Sequence, residues 1–332
     1  MQDYSAVFKN KKVIVTGGAG FIGSHICEAL VGFGAEVYSL DDYSAGKEKN
    51  IAFLSAYSNF HPLRMDVTAV EGMDRVFDGA SFVFHNAASK KNICMKDPKR
   101  DLRVNAEGTL NLLQYAHKHS VQRFIHASTG SVYGEPTIFP TTESHPLRPV
   151  SYYGVSKLAG ERYVDVFNRL YGVNTTILRY FHVYGTRQES NEFGGVVSIF
   201  IRNILEGKPL IVSGDGTQVR SFTWVKDLVA ANLAAATTEG AIGKAYNAAS
   251  GIRVSINELA EGIARLMKVP SQIEFGPPLI GDIMEFDVSN KAIKEDLGVE
   301  FTQDFWGTLS RTLDEFKDYL GDSANVAAVL AH

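Results

Sequence analysis

The sequence of 332 residues contains only two cysteines, Cys27 and Cys94. Two thiols are too few for a disulfide framework or a four-ligand metal site, and the nine histidines show no metal-ligand spacing, so no metal is expected. Basic residues are not in excess either: 33 lysines and arginines against 37 aspartates and glutamates give a net charge of −4, which argues against a nucleic-acid partner. No stretch approaches the length of a membrane span, and the N-terminal residues lack the apolar segment of a secretion signal. These absences predict a cytoplasmic protein with no membrane partner.

Glycine is concentrated near the N-terminus, where the sequence Thr-Gly-Gly-Ala-Gly-Phe-Ile-Gly occupies positions 16–23. The apolar segment before it predicts a buried strand, and the apolar positions after it have the spacing of an amphipathic helix. Glycines at such a turn let backbone amides approach a phosphate at the positive end of the helix dipole. The pattern predicts a pyrophosphate site, with a turn that serves only helix–strand packing as the alternative.

The next predicted strand, 36–40, is followed directly by Asp41. A carboxylate at this place can accept both hydroxyls of an adenosine ribose and repels a 2′-phosphate. The sequence therefore favours NAD over NADP.

Further strands are predicted at 81–85, 123–128 and 174–180, with another that ends at 63–67, and long helices are predicted over 98–119 and 151–171. Strands that alternate with helices indicate a doubly wound parallel α/β sheet, which binds its ligands at the carboxyl ends of the strands. We expect residues 1–180 to form the cofactor domain, 181–320 a smaller α/β substrate lobe, and a segment near 222–248 to return to the first domain. The tail, 321–332, is expected to fray.

Within the lobe, the patterns predict a helix over 194–205, a short strand over 210–212 and a turn at 214–217. Ser255 and Glu258 have the spacing of a capping box and predict the start of another helix. The last helix is predicted over 305–319.

Tyr153 and Lys157 lie four residues apart on the second long helix and therefore on one face of it. A nearby ammonium and a positive nicotinamide ring both favour the phenolate of a tyrosine, which could then take a proton from a substrate hydroxyl while a hydride leaves the same carbon. Such pairs are common by chance. This one gains weight because it follows a nucleotide-binding half and because the hydroxyl-rich Ser128–Ser131 ends the fifth strand.

Six motifs together resemble the extended short-chain dehydrogenase/reductase family, specifically its nucleotide-sugar epimerases and dehydratases. The motifs are Thr16–Gly23, Asn86–Ala88, Asn105, Ser128–Thr129 before Val132–Gly134, Tyr153 with Lys157, and Leu178–Phe181. The resemblance extends over about residues 10–320. It implies a Rossmann-type fold, NAD as cofactor, a nucleotide-diphosphate sugar as substrate and a homodimer formed through helices 98–119 and 151–171.

The resemblance also implies roles for single residues. Tyr153 would be the catalytic base, Lys157 would hold the nicotinamide ribose and favour the phenolate, and Thr129 would hydrogen-bond the reacting sugar oxygen. The implied cofactor site consists of Gly17, Gly20, Phe21, Ile22, Gly23, Asp41, Asp66, Val67, Ala87, Ala88, Lys90, Asn105, Ser128, Tyr153, Lys157, Tyr180 and Phe181. The implied substrate site consists of Lys90, Thr129, Tyr153, His182, Gln218 and Arg220.

Three positions depart from the family pattern and leave the nucleotide and the sugar open. His182 stands where an asparagine is usual, Ser221 stands in place of an aspartate after Arg220, and Leu279–Ile280 occupy the place of a second phosphate-binding arginine.

The leading interpretation is an NAD-dependent epimerase that acts at C4 through a 4-keto sugar. Related dehydratases and decarboxylases carry acidic residues directly after the active-site hydroxyl, where this chain has Gly130 and Ser131, so return of the hydride is favoured over elimination. The alternatives are a nucleotide-sugar oxidoreductase, a dehydratase or decarboxylase of the same family, and a non-catalytic NAD-sensing protein.

Overall fold

The computed structural model describes residues 2–89, 91–190, 194–278 and 283–320, with side chains described for all of these except 91–93 and 317–320. The described strands are β1 Lys12–Thr16, β2 Glu36–Asp41, β3 Phe60–Arg64, β4 Ala80–His85, β5 Arg123–Thr129, β6 Thr175–Tyr180, β7 Val183–Tyr184, β8 Leu210–Ser213, β9 Val219–Ser221, β10 Thr223–Trp224, β11 Lys244–Ala248, β12 Arg253–Ser255 and β13 Ile273–Gly276.

The described helices are α1 Ser5–Phe8, α2 Phe21–Gly32, α3 Met73–Phe77, α4 Lys91–Lys96, α5 Pro98–Leu102, α6 Gly108–Lys118, α7 Tyr152–Tyr171, α8 Val196–Leu205, α9 Val225–Thr237, α10 Ile256–Leu266, α11 Lys291–Leu297 and α12 Phe305–Leu320. A π-helical segment, Arg103–Glu107, joins α5 to α6. In the part of the chain that the structure describes, no helix combines the length and the apolarity needed to cross a bilayer.

Seven parallel strands form the central sheet, in the order β11-β6-β5-β4-β1-β2-β3. Val13, Ile14 and Val15 of β1 are fully buried, as expected for a parallel strand that is covered by helices on both faces. The order reverses between β1 and β4, and ligands of such sheets bind at this switch point. The sheet is the predicted Rossmann-type α/β fold.

Two apolar cores cover the two faces of this sheet. On one face, Ile26 and Leu30 of α2 pack with Leu228 of α9 against the alternate residues of the strands. On the other face, residues of α6 and α7, such as Leu112 and Val164, pack together with α3. The packed helices hold the central strands in place. The predicted functional residues of α2 and α7 lie near the carboxyl ends of these strands.

The C-terminal part of the chain has a separate core of α8, α10 and α12 with β8. Three two-stranded sheets, β8 with β13, β9 with β12 and β7 with β10, complete this part. β11 departs from it and joins the central sheet beside β6, which places the end of the segment 222–248 in the cofactor half.

The structure corrects two predicted boundaries. The third strand ends at Arg64 and does not continue to Val67, because the carboxylate of Asp66 accepts hydrogen bonds from the backbone and hydroxyl of Thr68, both at 2.9 Å, and turns the chain. The predicted helix 98–119 is divided by the π-helical segment. The capping box at Ser255 and Glu258 is confirmed by both of its hydrogen bonds.

Candidate active site

The glycine-rich turn brings β1, α2 and the end of β4 into close contact. Gly17 has a positive φ of 67°, and a Cβ there would lie 2.8 Å from the backbone nitrogen of Ala87. A Cβ at Gly23 would clash with the carbonyl oxygen of Gly17. No side chain caps α2, since its N-cap is Gly20, and the first amides of the helix therefore remain available to an anion. This turn fits the pyrophosphate of a dinucleotide.

Asp41 lies at the carboxyl end of β2, where its side chain is 7% exposed. The backbone nitrogens of Ala19 and Tyr43 donate to its two carboxylate oxygens at 3.0 and 2.8 Å. Burial raises the pKa of Asp41, and these two hydrogen bonds oppose the shift. The carboxylate is held rigidly beside the turn, in a position that fits recognition of a ribose diol.

A cavity of about 280 Å³ runs from Asp41 along the switch point to α7. It brings together most of the predicted cofactor residues, namely Gly17, Gly20, Phe21, Ile22, Gly23, Asp41, Asp66, Val67, Ala87, Ala88, Ser128, Tyr153, Lys157 and Tyr180. Asn105 is buried behind its wall, where the Asn105 Oδ1 accepts a hydrogen bond from the backbone nitrogen of the lining residue Ser89 at 2.9 Å. Lys90 lies outside the described residues.

Sequence reasoning missed several residues of this cavity. Arg100 reaches it from α5 and pairs with Asp42 at 2.7 Å, and Gln188 and Gly195 reach it from the C-terminal part of the chain. Arg100 belongs to a basic stretch of sequence that gives no sign of which side chain points inward. Gln188 and Gly195 carry no local signal at all.

Lys157 and Tyr153 both line the cavity from one face of α7. Lys157 is only 1% exposed, and burial lowers its pKa to about 8 although the carboxylates of Glu161 and Asp101 oppose the shift. Burial raises the pKa of Tyr153, and a hydrogen bond with Thr129 opposes that change. The phenol thus interacts with the hydroxyl of Thr129, and the ammonium of Lys157 lines the same cavity as the phenol.

A second cavity of about 210 Å³ shares Tyr180 with the first. Its lining consists of Thr129, Gly130, Ser131, Tyr180, Phe181, His182, Ile283 and Phe286. Phe181 therefore faces this cavity and not the first one. A Cβ at Gly130 would clash with the ring of Phe181, so glycine is required where the sheet strand meets this ring. No carboxylate is among the described residues that line the second cavity.

The structure does not bring Gln218 and Arg220 into either cavity. Gln218 donates to the carbonyl oxygen of Ser213 at 2.9 Å, and Arg220 donates to that of Ile283 at 2.5 Å. The guanidinium of Arg220 lies 5.8 Å from the ring centre of Phe286, which places it behind the wall of the second cavity. The segment 279–282, which includes the family's usual position for a second arginine, lies outside the described residues.

Comparison with known proteins agrees with this geometry. The sequence profile of the "NAD dependent epimerase/dehydratase family" matches residues 13–249. A UDP-glucose 4-epimerase of Mycolicibacterium smegmatis is 33% identical over 92% of this chain and 99% of its own length.

Two solved structures show the same fold over nearly their whole length. A UDP-glucose 4-epimerase from Thermotoga maritima with UDP-glucose has a TM-score of 0.88 and 34% identity, covering 93% of this chain and 99% of that one. A UDP-glucuronic acid 4-epimerase from Bacillus cereus with UDP-glucuronic acid and NAD has a TM-score of 0.85 and 30% identity, covering 93% and 98%.

Proposed function

The chain belongs to the NAD dependent epimerase/dehydratase family, and from this premise we propose that it is an NAD-dependent epimerase that inverts C4 of a nucleotide-diphosphate sugar through a 4-keto intermediate. The observation that carries the proposal is that Tyr153 and Lys157 line the first cavity, while Thr129 lines the second and hydrogen-bonds Tyr153. A cofactor in the first cavity and a sugar in the second would both reach the phenol.

Each of these three residues has a separate role in the proposed reaction. Tyr153 accepts the proton of the C4 hydroxyl and returns it after inversion, and Thr129 orients the sugar oxygen by hydrogen bonding. Lys157 supplies a positive charge that favours the phenolate and holds the nicotinamide ribose. NAD, when bound, supplies a hydride acceptor and donor.

The second cavity favours epimerisation over elimination. Removal of water or carbon dioxide next to a 4-keto group needs additional groups that move protons at neighbouring carbons. Gly130 has no side chain, and the hydroxyl of Ser131 does not titrate near neutral pH. A net oxidoreductase and a non-catalytic NAD sensor remain the other candidates, and the complete set of Tyr153, Lys157 and Thr129 argues against the sensor.

Gln218 and Arg220 remain part of the proposed substrate site. Arg220 contacts Phe286, which lines the sugar cavity, and a diphosphate beyond the sugar would lie on this side of the cavity. We propose that Arg220 binds this diphosphate and that His182 contacts the nucleotide sugar.

Incubation of the purified protein with UDP-, GDP-, CDP- and dTDP-sugars, followed by NMR identification of the products, tests the proposed reaction. We expect one pair of sugars that differ only in configuration at C4. NAD bound without turnover of any of these sugars would instead support the NAD-sensing protein.

We further propose a homodimer formed through α6 and α7. α7 exposes apolar side chains at Val155, Tyr163, Val166 and Leu170, the last of which is 71% exposed. Their spacing of eight, three and four residues places them along one side of the helix, and a stripe of this kind is typical of an interface. The proposal also includes a cytoplasmic location, which cell fractionation would test.

A further inference from the structure

Asp101 is a buried acid for which the mechanism above has no use. It lies on α5, directly before the π-helical segment, and is 1% exposed. Among the side chains that the structure describes, no lysine or arginine nitrogen lies within 4 Å of its carboxylate, and its hydrogen-bond partners are neutral. A buried carboxylate without a contacting cation is costly for stability, and such groups are concentrated at functional sites.

The partners of Asp101 lead to the active site. Its Oδ1 accepts hydrogen bonds from Nδ2 of Asn105 at 2.7 Å and from the thiol of Cys94 at 2.6 Å. The same Asn105 nitrogen donates to Oγ of Ser156 at 3.0 Å, and Asn105 Oδ1 accepts from the backbone nitrogen of Ser89 at 2.9 Å. Ser156 precedes Lys157 on α7, and Ser89 lines the cofactor cavity. Asp101 therefore orients an amide that joins the cofactor wall to the catalytic helix.

The π-helical segment explains why Asn105 can make all these contacts. Arg103–Glu107 widens the helix by one residue per turn, and Asn105 lies at its centre. Such segments are frequent at functional sites, and the extra residue changes the direction of the side chains that follow it on the helix. Asp101, four residues earlier, fixes the turned amide.

We propose that Asp101 is a positioning residue of the active site, whose buried carboxylate orients Asn105 and supplies a fixed negative charge to Tyr153 and Lys157. This inference rests on the proposed function, since it assigns Asp101 to the reaction of the same tyrosine and lysine.

The titratable groups around Lys157 come from four elements. Glu161 on α7 and Asp101 on α5 both favour its ammonium and raise its pKa, against the larger effect of burial. His85 on β4 and His126 on β5 also interact with Lys157, and burial holds the pKa of both histidines so low that they are neutral. Glu161 is already engaged by Arg179 through two hydrogen bonds at 3.0 and 2.8 Å. Of the two carboxylates, Glu161 has the larger effect on Lys157, and Asp101 adds a smaller effect of the same sign.

The charge of Asp101 favours the charged form of Lys157 but the neutral form of Tyr153. It raises the pKa of the phenol, in the same direction as burial, and so disfavours the phenolate. Cys94 adds no charge near neutral pH, because burial raises the pKa of its thiol to about 12.

The sign of the expected pH effect follows from these two interactions. Activity rises with pH as Tyr153 loses its proton and falls as Lys157 loses its own, although the two apparent values belong to the coupled pair. Because the negative charge of Asp101 raises both pKa values, its removal shifts both limbs of the profile to lower pH. A purely structural residue would lower the height of the profile and leave its limbs in place.

The test measures the pH profile of kcat/KM for Asp101→Asn with saturating NAD. The amide preserves an acceptor for Asn105 and removes only the charge, so we expect both limbs to move to lower pH by about half a unit or more. The matched control is Asp97→Asn, which removes one charge from the exposed N-cap of the same helix and should leave the profile unchanged. The positions of the limbs do not depend on how much of the protein is active, so a less stable variant still gives the answer. Unshifted limbs in Asp101→Asn would overturn the proposal.

A second arm does not depend on turnover. Asp101→Leu removes the acceptor as well as the charge. Asn105 then loses the hydrogen bond that orients it, and Ser89 in the cavity wall is held less firmly. We expect about tenfold weaker NAD binding by calorimetry for this variant and nearly unchanged binding for Asp101→Asn. Equal NAD affinity of Asp101→Leu and the wild type would contradict the orienting role. Absence of wild-type turnover with every sugar would instead refute the proposed function, and the calorimetry would still decide the role of Asp101.

Discussion

Burial changes the two central side chains in opposite directions. It raises the pKa of Tyr153 and lowers that of Lys157 to about 8, so in the free protein both groups are shifted toward their neutral forms. A positive nicotinamide ring next to the phenol would reverse the first shift. The active site is therefore expected to gain its base when the oxidised cofactor binds.

Replacement of the phenol tests this assignment. Tyr153→Phe keeps the ring but removes the proton acceptor, so kcat should fall at least ~10²-fold while sugar binding is largely kept. Lys157→Met should be comparably damaging. The control is Tyr152→Phe at the exposed neighbouring position, which should retain full activity. A near-normal rate for Tyr153→Phe would show that the base is another residue.

Asp41 is expected to determine the choice of cofactor. Asp41→Ala removes the carboxylate that would repel a 2′-phosphate and should reduce the preference for NAD over NADP, measured as a ratio of dissociation constants. Glu36→Gln, at the opposite end of the same strand, serves as the control and should not change the ratio. Tighter binding of NADP than of NAD by the wild type would contradict the role of Asp41.

Among individual site residues, the sequence predicts those that belong to a local motif. It misses those that only folding brings close to the site. Thr129, Tyr153 and Lys157 stand in recognisable patterns beside predicted strand and helix ends. In the structure Tyr153 and Lys157 line the first cavity and Thr129 lines the second. Phe286 and Ile283 carry no pattern, since they come from an irregular segment about 150 residues further along the chain. The burial of Asp101 likewise depends on packing and is not visible in the sequence.

The turn between β1 and α2 has space for glycine only at several of its positions. Gly23→Ala would force its Cβ against the carbonyl oxygen of Gly17, and the turn would have to open. We expect NAD binding to weaken by about tenfold or more, since the helix amides would move away from the phosphate.

The same helix offers a matched control for this substitution. Gly32 is exposed near the end of α2, and a Cβ there would meet nothing within 4 Å. Gly32→Ala should leave NAD binding unchanged and stabilise the protein by about 0.5 kcal/mol, measured by chemical denaturation. Equal loss of NAD binding in both variants would show that the turn is not the cause.

The start of a helix was predictable where neighbouring residues of the chain cap it. Ser255 and Glu258 form the capping box that their spacing predicts. The π-helical segment 103–107 was not predictable, because its extra residue is stabilised by contacts of Asn105 with Ser89, Asp101 and Ser156, and these contacts come from other elements. The limit of β3 was missed because Asp66 forms a local turn with Thr68 that competes with the strand.

For the whole molecule, alternation of strands and helices predicts the parallel sheet, and the structure confirms it. The alternation does not predict that β11, more than 60 residues after β6, is the seventh strand, since much of the intervening chain, including α8 and β8, belongs to the separate C-terminal core.

The exposed stripe of α7 leads to a prediction about assembly. The wild type should have a mass in solution of twice the 36.4 kDa of the chain at micromolar concentration, and Leu170→Glu should dissociate it by placing a charge in the interface. Phe275→Glu, at an equally exposed apolar position on β13, is the control and should remain dimeric. Light scattering coupled to size exclusion gives both masses, and a monomeric wild type would refute the dimer.

In the proposed reaction a hydride leaves C4 and returns to the same carbon, with no proton chemistry at neighbouring positions. The most direct test is mass spectrometry and NMR of the product from a nucleotide-sugar substrate that carries deuterium at C4. We expect a C4 epimer of unchanged mass that retains the deuterium at C4, with no accumulation of NADH. A product lighter by one water or by carbon dioxide, or deuterium recovered in free NADH, would contradict it.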